Sequence, residues 1–335
     1  MIARETHMAT QAVRPSEPSV ALLGGKSLPM LLRRLLLATR PAFLTASVLP
    51  VLVGTAWGYR STHRLDVVSF VLALLATVLV HAASNVFNDV GDDIGGTDNA
   101  NDERIFPYTG GSRFIQNGVM SAAEMKAWAV SLLALSVVPG VALLWLHGPQ
   151  ILVFGFIGIA LGALYSLPKI QLSAHGLGES AVALAFGVLP VVGAAWVQTH
   201  AVDAASLALA IPVALWVAAI LLVNEVPDVR ADAAAAKNTL VVRLGVTATR
   251  RLYAVLQLGA IAAFVACGLL GFIPWWASLA SLLLLPQVRS ATRSIHDVRD
   301  DRAGLTRAIE TTLALHLLGS LLLVAAVLVA RFIQF

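Results

Sequence analysis

Residues 85–98 read NVFNDVGDDIGGTD, and this stretch decides the fold. Its polar residues, Asn85, Asn88, Asp89, Asp92, Asp93 and Asp98, follow directly on SFVLALLATVLVHAAS, one of the most apolar runs in the chain. Helix C-termini favour cations, so acids gathered at the end of an apolar helix cost energy unless something positive neutralises them. One Asp or Asn there reads as a polar cap on a helix leaving a membrane. The chain repeats the pattern, however. In NEVPDVRAD at 224–232, Asn224, Asp228 and Asp232 share the i, i+4, i+8 spacing of Asn85, Asp89 and Asp93. That spacing predicts three side chains on one helical face, so two such helices would present carboxylates and amides to each other.

Composition sets the environment. The 335 residues are 58% hydrophobic and 13% charged, with a mean hydropathy of +0.81; a soluble domain carries about 25% charged residues. Runs of about 20 apolar residues, long enough to span a bilayer, recur along most of the chain. The expected fold is all-α and multi-pass, with nine spans near 41–58, 66–88, 122–146, 150–167, 178–198, 204–225, 251–271, 273–288 and 308–332. The eighth is short and reads as tilted or partly interfacial. Residues 1–28 are polar and lack the apolar core of a signal peptide; they read as a disordered cytoplasmic tail. Residues 29–335 read as one transmembrane domain, opening on PMLLRRLLLATRP, an amphipathic segment suited to the interface. The single cysteine, Cys267, excludes an internal disulfide and a Cys-based metal cluster.

Charge orients the bundle. With the N-terminus in the cytoplasm, 20 of the 23 Lys and Arg residues fall on that side, leaving Arg60, Arg64 and Arg331 opposite. Both acidic motifs follow even-numbered spans and so reach the same, cytoplasmic face. The neutralising partner that suits them is a hard divalent cation with oxygen ligands. Mg2+ fits, because it binds through one or two carboxylates and shares the rest of its shell with water and substrate phosphates. An EF-hand spacing, a P-loop and a dinucleotide glycine fingerprint are absent.

Paired acidic motifs after spans 2 and 6 resemble those of the UbiA superfamily of intramembrane prenyltransferases, and the resemblance extends from about residue 38 to the C-terminus. Asn88-Asp89-x-x-Asp92 with Gly96 and Asp98, PYTGGSRFIQNG at 107–118 and HGLGES at 175–180 look like the 1,4-dihydroxy-2-naphthoate branch of the menaquinone pathway. Asp228-x-x-x-Asp232, followed by Lys237 and Thr239-Leu240, is similar to that branch's second motif, although NEVPDV departs from its usual paired Asn and Arg. The resemblance implies nine helices and Mg2+-dependent transfer of a prenyl group from its diphosphate to an aromatic acceptor. The implied partners are those two substrates and the bilayer, with no nucleic acid; oligomeric state is left open. The acceptor nearest the motifs is 1,4-dihydroxy-2-naphthoate, with 4-hydroxybenzoate and homogentisate as alternatives.

The resemblance also assigns roles. Asp89, Asp92, Asp228 and Asp232 are the first candidates for holding metal, directly or through water. Asp93 joins them on the repeat and Asp98 on the family pattern. Asn85, Asn88 and Asn224 fill coordination or hydrogen-bond positions. Arg113, Lys169 and Lys237 are candidates for diphosphate contact, or interfacial charges that set topology. Tyr165 lines the pocket or anchors at the interface. Glu179 orients the acceptor's hydroxyl or caps a first helical turn. His81 and His316 read as hydrogen-bonded core residues, with His81 the alternative base. A transporter is the competing class, since internal repeats and intramembrane polar residues are transporter features too. Transporter sites lie near the midplane, though, whereas these acids cluster at one end.

Overall fold

Apolar length and the placing of prolines set the architecture. The computed structural model describes residues 17–99, 101–166 and 170–332. Residues 1–16 of the expected tail and Lys169 lie outside these. Every regular element among the described residues is helical.

The end of the expected tail is folded rather than disordered. Ser19 caps α1 (Val20–Leu23), Leu23 is buried, and Glu17 pairs with Arg104 at 2.9 Å. Asn117 donates to the Pro18 carbonyl at 2.8 Å. Polarity alone suggested disorder here; the segment is ordered by partners almost a hundred residues away. Next, α2 (Leu28–Ala38) exposes Leu28, Leu32 and Leu36 while burying Ala38.

The spans follow. They are α3 (Thr45–Thr62), α4 (Val67–Ile94), α5 (Ala122–His147) and α6 (Ile151–Ser166), then α7 (Gly178–Val182), which runs through a π-helical turn, Ala183–Val188, into α8 (Leu189–Thr199), and α9 (Ala204–Asn224). The short α10 (Val229–Ala234) precedes α11 (Leu240–Leu269), α12 (Trp275–Ser278), α13 (Leu285–Ser294) and α14 (Arg302–Val329). Among the described residues, seven helical stretches are long and apolar enough to cross a membrane: Pro41–Thr62, α4, α5, Gly178–Thr199, α9, α11 and α14. Two of the nine expected spans fall short of that. With 16 residues, α6 reaches about 24 Å, against a hydrocarbon core of about 30 Å. The expected eighth span is segmented into α12, a 3-10 stretch Leu279–Leu284 and α13, with Pro286 opening the last piece.

The bundle closes around α9. Its Trp216 is fully buried among Val53 of α3, Val191 of α8, Phe264 of α11 and Leu323 of α14. Gly319 lets α14 approach the Trp216 ring, since a Cβ there would stand 2.4 Å from ring carbons. Close packing over small residues is how membrane helices gain affinity without a hydrophobic drive between them. A second core cluster at the motif end joins Ile105 of the 95–121 loop to Val226, Tyr253, Val298 and Ile309. This packing seats the loop over the ends of α4 and α9.

Candidate active site

Helical geometry divides the first motif. α4 runs unbroken to Ile94, and at 100° per residue Asp92 lies only about 20° from Asn85, whereas Asp93 has turned about 80° the other way. The side chains follow that arithmetic. Asp92 accepts from Asn88 Nδ2 at 2.8 Å and pairs with Lys237 Nζ at 3.1 Å. Asp93 accepts instead from Gln116 Nε2 at 3.2 Å. Asp93 stands about 40° from Asp89 on the helix and is bonded to Gln116 of the loop, whereas Asp92 is bonded to Lys237. Asn85 Nδ2 donates to the Thr39 carbonyl at 2.9 Å and so pins the end of α2.

Pro227 divides the second motif. Proline has no N–H to donate and disfavours helix at the residue before it. α9 accordingly ends at Asn224, and the chain turns before Asp228 opens α10. The three residues thus do not stack on one helical face as the spacing predicted. Within α10 the Asp232 N–H donates to the Asp228 carbonyl at 2.9 Å. Asp228 accepts from Asn101 Nδ2 at 2.7 Å and from the Gly110 N–H at 3.3 Å. Lys237 joins the motifs, standing 3.1 Å from Asp92 and 3.6 Å from Asp232.

The loop between α4 and α5 lies between the two motifs. Ser112 N–H donates to Asp89 Oδ2 at 3.1 Å. Gly111 has φ +72°, and a Cβ on it would stand 2.5 Å from Asp98 Oδ2 and 3.1 Å from Asp89 Oδ1. Only glycine accepts both that backbone and that approach. Gly111→Ala is expected to cut turnover at least about 100-fold, the penalty that misplacing reacting groups by an ångström can bring. Turnover measured at equal protein level in isolated membranes checks this; a fall below threefold would be evidence against the arrangement. The loop is tied down by charge as well. Arg230 pairs with Glu103 at 2.5 Å and Asp297 at 2.6 Å, and Arg299 also reaches Glu103.

Asp98, absent from the stacked pattern, enters the site through this loop. Asp89 and Asp98 are each 3% exposed, and Asp89 Oδ1 and Asp98 Oδ2 have no hydrogen-bond partner. Both face the position beside Gly111. Burial first, then the charges of Asp92, Asp89 and Asp228, push Asp98 up to about 7. Burial likewise lifts Asp232 to about 7 against the pull of Lys237, and it raises Asp228. Asp92 and Asp232 hold Lys237 well above its ordinary value. Such convergence of acids is stabilised by added positive charge. Among the described residues no three acidic, imidazole or thiolate groups enclose a metal by themselves. Two unpartnered carboxylate oxygens open to further ligands suit Mg2+, which completes its shell with water and phosphate.

The other expected residues are placed as follows. Arg113 is buried at φ +64° and donates to the Asp98 carbonyl at 2.5 Å, bracing the loop; its Nε has no partner. The Tyr165 ring stands beside Gly178, and its hydroxyl lies in the electrostatic neighbourhood of Asp92, Lys237, Glu179 and Glu225. Asn224 Oδ1 is buried without a partner. Glu179 is buried on α7. His81 bonds Ser47 Oγ at 2.7 Å and lies against Phe186, a core placement. His316 is fully buried beside Ser320. Sequence reasoning missed Arg40, Asn101 and Glu225. Arg40 donates to the Tyr108 carbonyl at 2.7 Å, within electrostatic reach of Asp89. Its signal was an Arg-Pro step at the mouth of the first span.

A helical bundle with facing acidic motifs, a bridging lysine and a glycine-borne loop has known relatives. The chain matches the profile of the UbiA prenyltransferase family over residues 47–318 and belongs to that family. It is a multi-pass membrane prenyltransferase. It is 30% identical over 301 residues to 1,4-dihydroxy-2-naphthoate octaprenyltransferase of Escherichia coli K12, covering 87% of this chain and 94% of that one. The protein of the same description from Mycobacterium tuberculosis is 32% identical over 268 residues, covering 79% and 86%. Among solved structures, a UbiA homolog from Archaeoglobus fulgidus bound to DMAPP and Mg2+ shares the fold, with a TM-score of 0.63 and 21% identity over 90% of this chain and 99% of that one.

Proposed function

We propose that this prenyltransferase moves the prenyl group of an isoprenyl diphosphate onto 1,4-dihydroxy-2-naphthoate, a step of menaquinone biosynthesis, with Mg2+ as cofactor. The observation that carries the acceptor is the likeness to naphthoate octaprenyltransferases along nearly the whole of both chains. The unpartnered oxygens of Asp89 and Asp98 support the metal, as does the archaeal neighbour's binding of DMAPP with Mg2+.

Asp89, Asp98, Asp92, Asp228 and Asp232 would hold Mg2+ and, through it, the diphosphate. When bound, Mg2+ acts as a Lewis acid on the leaving diphosphate. The chain's own groups do the rest. Lys237 supplies a fixed cation between the motifs, and a charge placed in advance costs no reorganisation as the bond breaks. The N–H groups of Gly110 and Ser112 orient Asp228 and Asp89. The loop, anchored by buried Ile105 and Phe114, covers the reacting carbon and keeps water from it. The isoprenoid tail lies among the spans. In this reading the bundle passes the membrane nine times, with α6 and the 275–294 segment completing the count. Its N-terminus and site are cytoplasmic, as the distribution of Lys and Arg supports. The two motifs belong to related halves of an internal repeat.

Membranes containing the protein, given labelled prenyl diphosphate, are expected to prenylate 1,4-dihydroxy-2-naphthoate in preference to 4-hydroxybenzoate or homogentisate. EDTA should stop the reaction and Mg2+ restore it. Preference for another of these acceptors would overturn the pathway assignment, and product formation in excess EDTA would overturn the metal.

A further inference from the structure

Glu17 belongs to neither acidic motif and lies ahead of the first span, yet its carboxylate meets both limbs of the 95–121 loop. Oε1 accepts from Nε and Nη2 of Arg104, each at 2.9 Å. Oε2 accepts from Asn117 Nδ2 at 3.3 Å, and the same amide group donates to the Pro18 carbonyl at 2.8 Å. Arg104 carries this hold inward. Its Nη1 donates to the Asn101 carbonyl at 2.5 Å. Its stem lies against Gly110, where an added Cβ would stand 2.6 Å from Arg104 Cβ. Asn101 Nδ2 in turn donates to Asp228 Oδ1 at 2.7 Å, and the Gly110 N–H to Asp228 Oδ2 at 3.3 Å. Each oxygen of Asp228 is thus oriented by a residue that Arg104 braces, and Arg104 is itself held by Glu17.

Anchoring of the chain end does not account for this contact, because the segment is anchored without it. Ser19 caps α1, and Leu23 is 3% exposed in the buried cluster that contains Phe114, Val119 and Met120. What Glu17 adds is direction. Two nitrogens of a planar guanidinium on one carboxylate oxygen fix where the Arg104 side chain points. The two side chains are only 20% and 32% exposed, so salt screens the pair less than one in open solvent. We infer that Glu17 is a positioning residue for prenyl transfer: acting through Arg104, it fixes the loop so that Asn101 and Gly110 are aimed at Asp228. This rests on the prenyl-transfer reading above. Glu17 itself touches no reacting group. The segment ahead of the spans is then part of the working site.

Glu17→Ala and Arg104→Ala, singly and together in the full chain, test this. Glu17→Ala removes the hold on Arg104 and leaves Leu23 to keep the segment docked. It is expected to lower kcat about tenfold or more, since small displacements of reacting groups carry losses of that order, with the acceptor KM changed less than about twofold. The double variant is expected to lose no more than Arg104→Ala alone, because residues in one hydrogen-bonded chain do not add independently. Glu17→Asp, which keeps a carboxylate, should recover part of kcat, whereas Glu17→Gln, which keeps the shape without the charge, should not. In protein free of Mg2+ and substrate, amide hydrogens over 98–112 should exchange about tenfold faster in Glu17→Ala and Glu17→Gln, with those over 205–220 unchanged. A kcat within twofold of wild type in both variants, unaltered exchange over 98–112, or single losses that multiply in the double variant would overturn the inference. Wild-type membranes that prenylate no aromatic acceptor would overturn the activity beneath it, and the exchange rates would still decide whether Glu17 holds the loop.

Discussion

Asp89→Asn is expected to lower prenyl transfer by about 10³-fold or more, in line with the loss of one well-placed charge-stabilising group, while the protein stays folded in the membrane. The substitution keeps shape and removes charge. Asp89 Oδ2 accepts from Ser112 N–H, and Oδ1 points without a partner toward the place shared with Asp98. An amide satisfies Ser112 only with its oxygen on that side. Its NH2 then faces Asp98 and any cation held there. Turned the other way, it sets donor against donor at Ser112. Both orientations disable the site without leaving a cavity. Asp228→Asn meets the same conflict between Asn101 and the Gly110 N–H. Turnover with labelled prenyl diphosphate, normalised to membrane-resident protein, measures both. Activity near the wild-type level in either would remove that residue from the metal set.

Lys237→Met is the second large effect. The ammonium stands between Asp92 and Asp232, and the three side chains are only 17%, 16% and 4% exposed. Taking one partner from a buried ion pair costs about 3–5 kcal/mol, because the remaining charge is left uncompensated. Here two acids lose their shared cation. The variant is expected to unfold at a clearly lower temperature in detergent without Mg2+, and millimolar Mg2+ should recover part of the difference by supplying the missing charge. Turnover should remain at least about 100-fold down even with saturating Mg2+, since the fixed cation that the proposed mechanism sets beside the leaving group is gone. An unchanged unfolding temperature would show that the bridge between the motifs carries little.

Legibility in the sequence followed the reach of local rules. Asp89 and Asp92 were legible as candidates from the helix period, and Lys237 from the resemblance of the second motif, although it pairs with Asp92 across 145 residues. Asp93 entered the expected metal set through the i+8 spacing, and its carboxylate bonds Gln116 of the loop. Pro227 was visible within the second motif, yet the repeat was read straight through it. Asp98, Arg40 and Asn101 reach the acids through loop folding and long-range contacts, which no periodicity encodes. Glu225 was hidden by its neighbours, since one more acid beside Asn224 looked like more of the same polar end. The hydropathy runs located each apolar segment but could not see that Pro286 divides one of them or that α6 is short.

The break at Pro227 makes the two arms of the site unequal in compliance. Asp89 and Asp92 ride on a 28-residue helix packed along its length against α5, whereas Asp228 and Asp232 ride on a six-residue helix flanked by turns. Short elements with few buried contacts open at lower free energy than long ones. Amide hydrogens over 229–237 should therefore exchange well ahead of those over 80–90. One arm is built as an anvil and the other as a spring, and in the proposed reaction the diphosphate product is expected to be freed by relaxation of the α10 side rather than by prising apart the bundle.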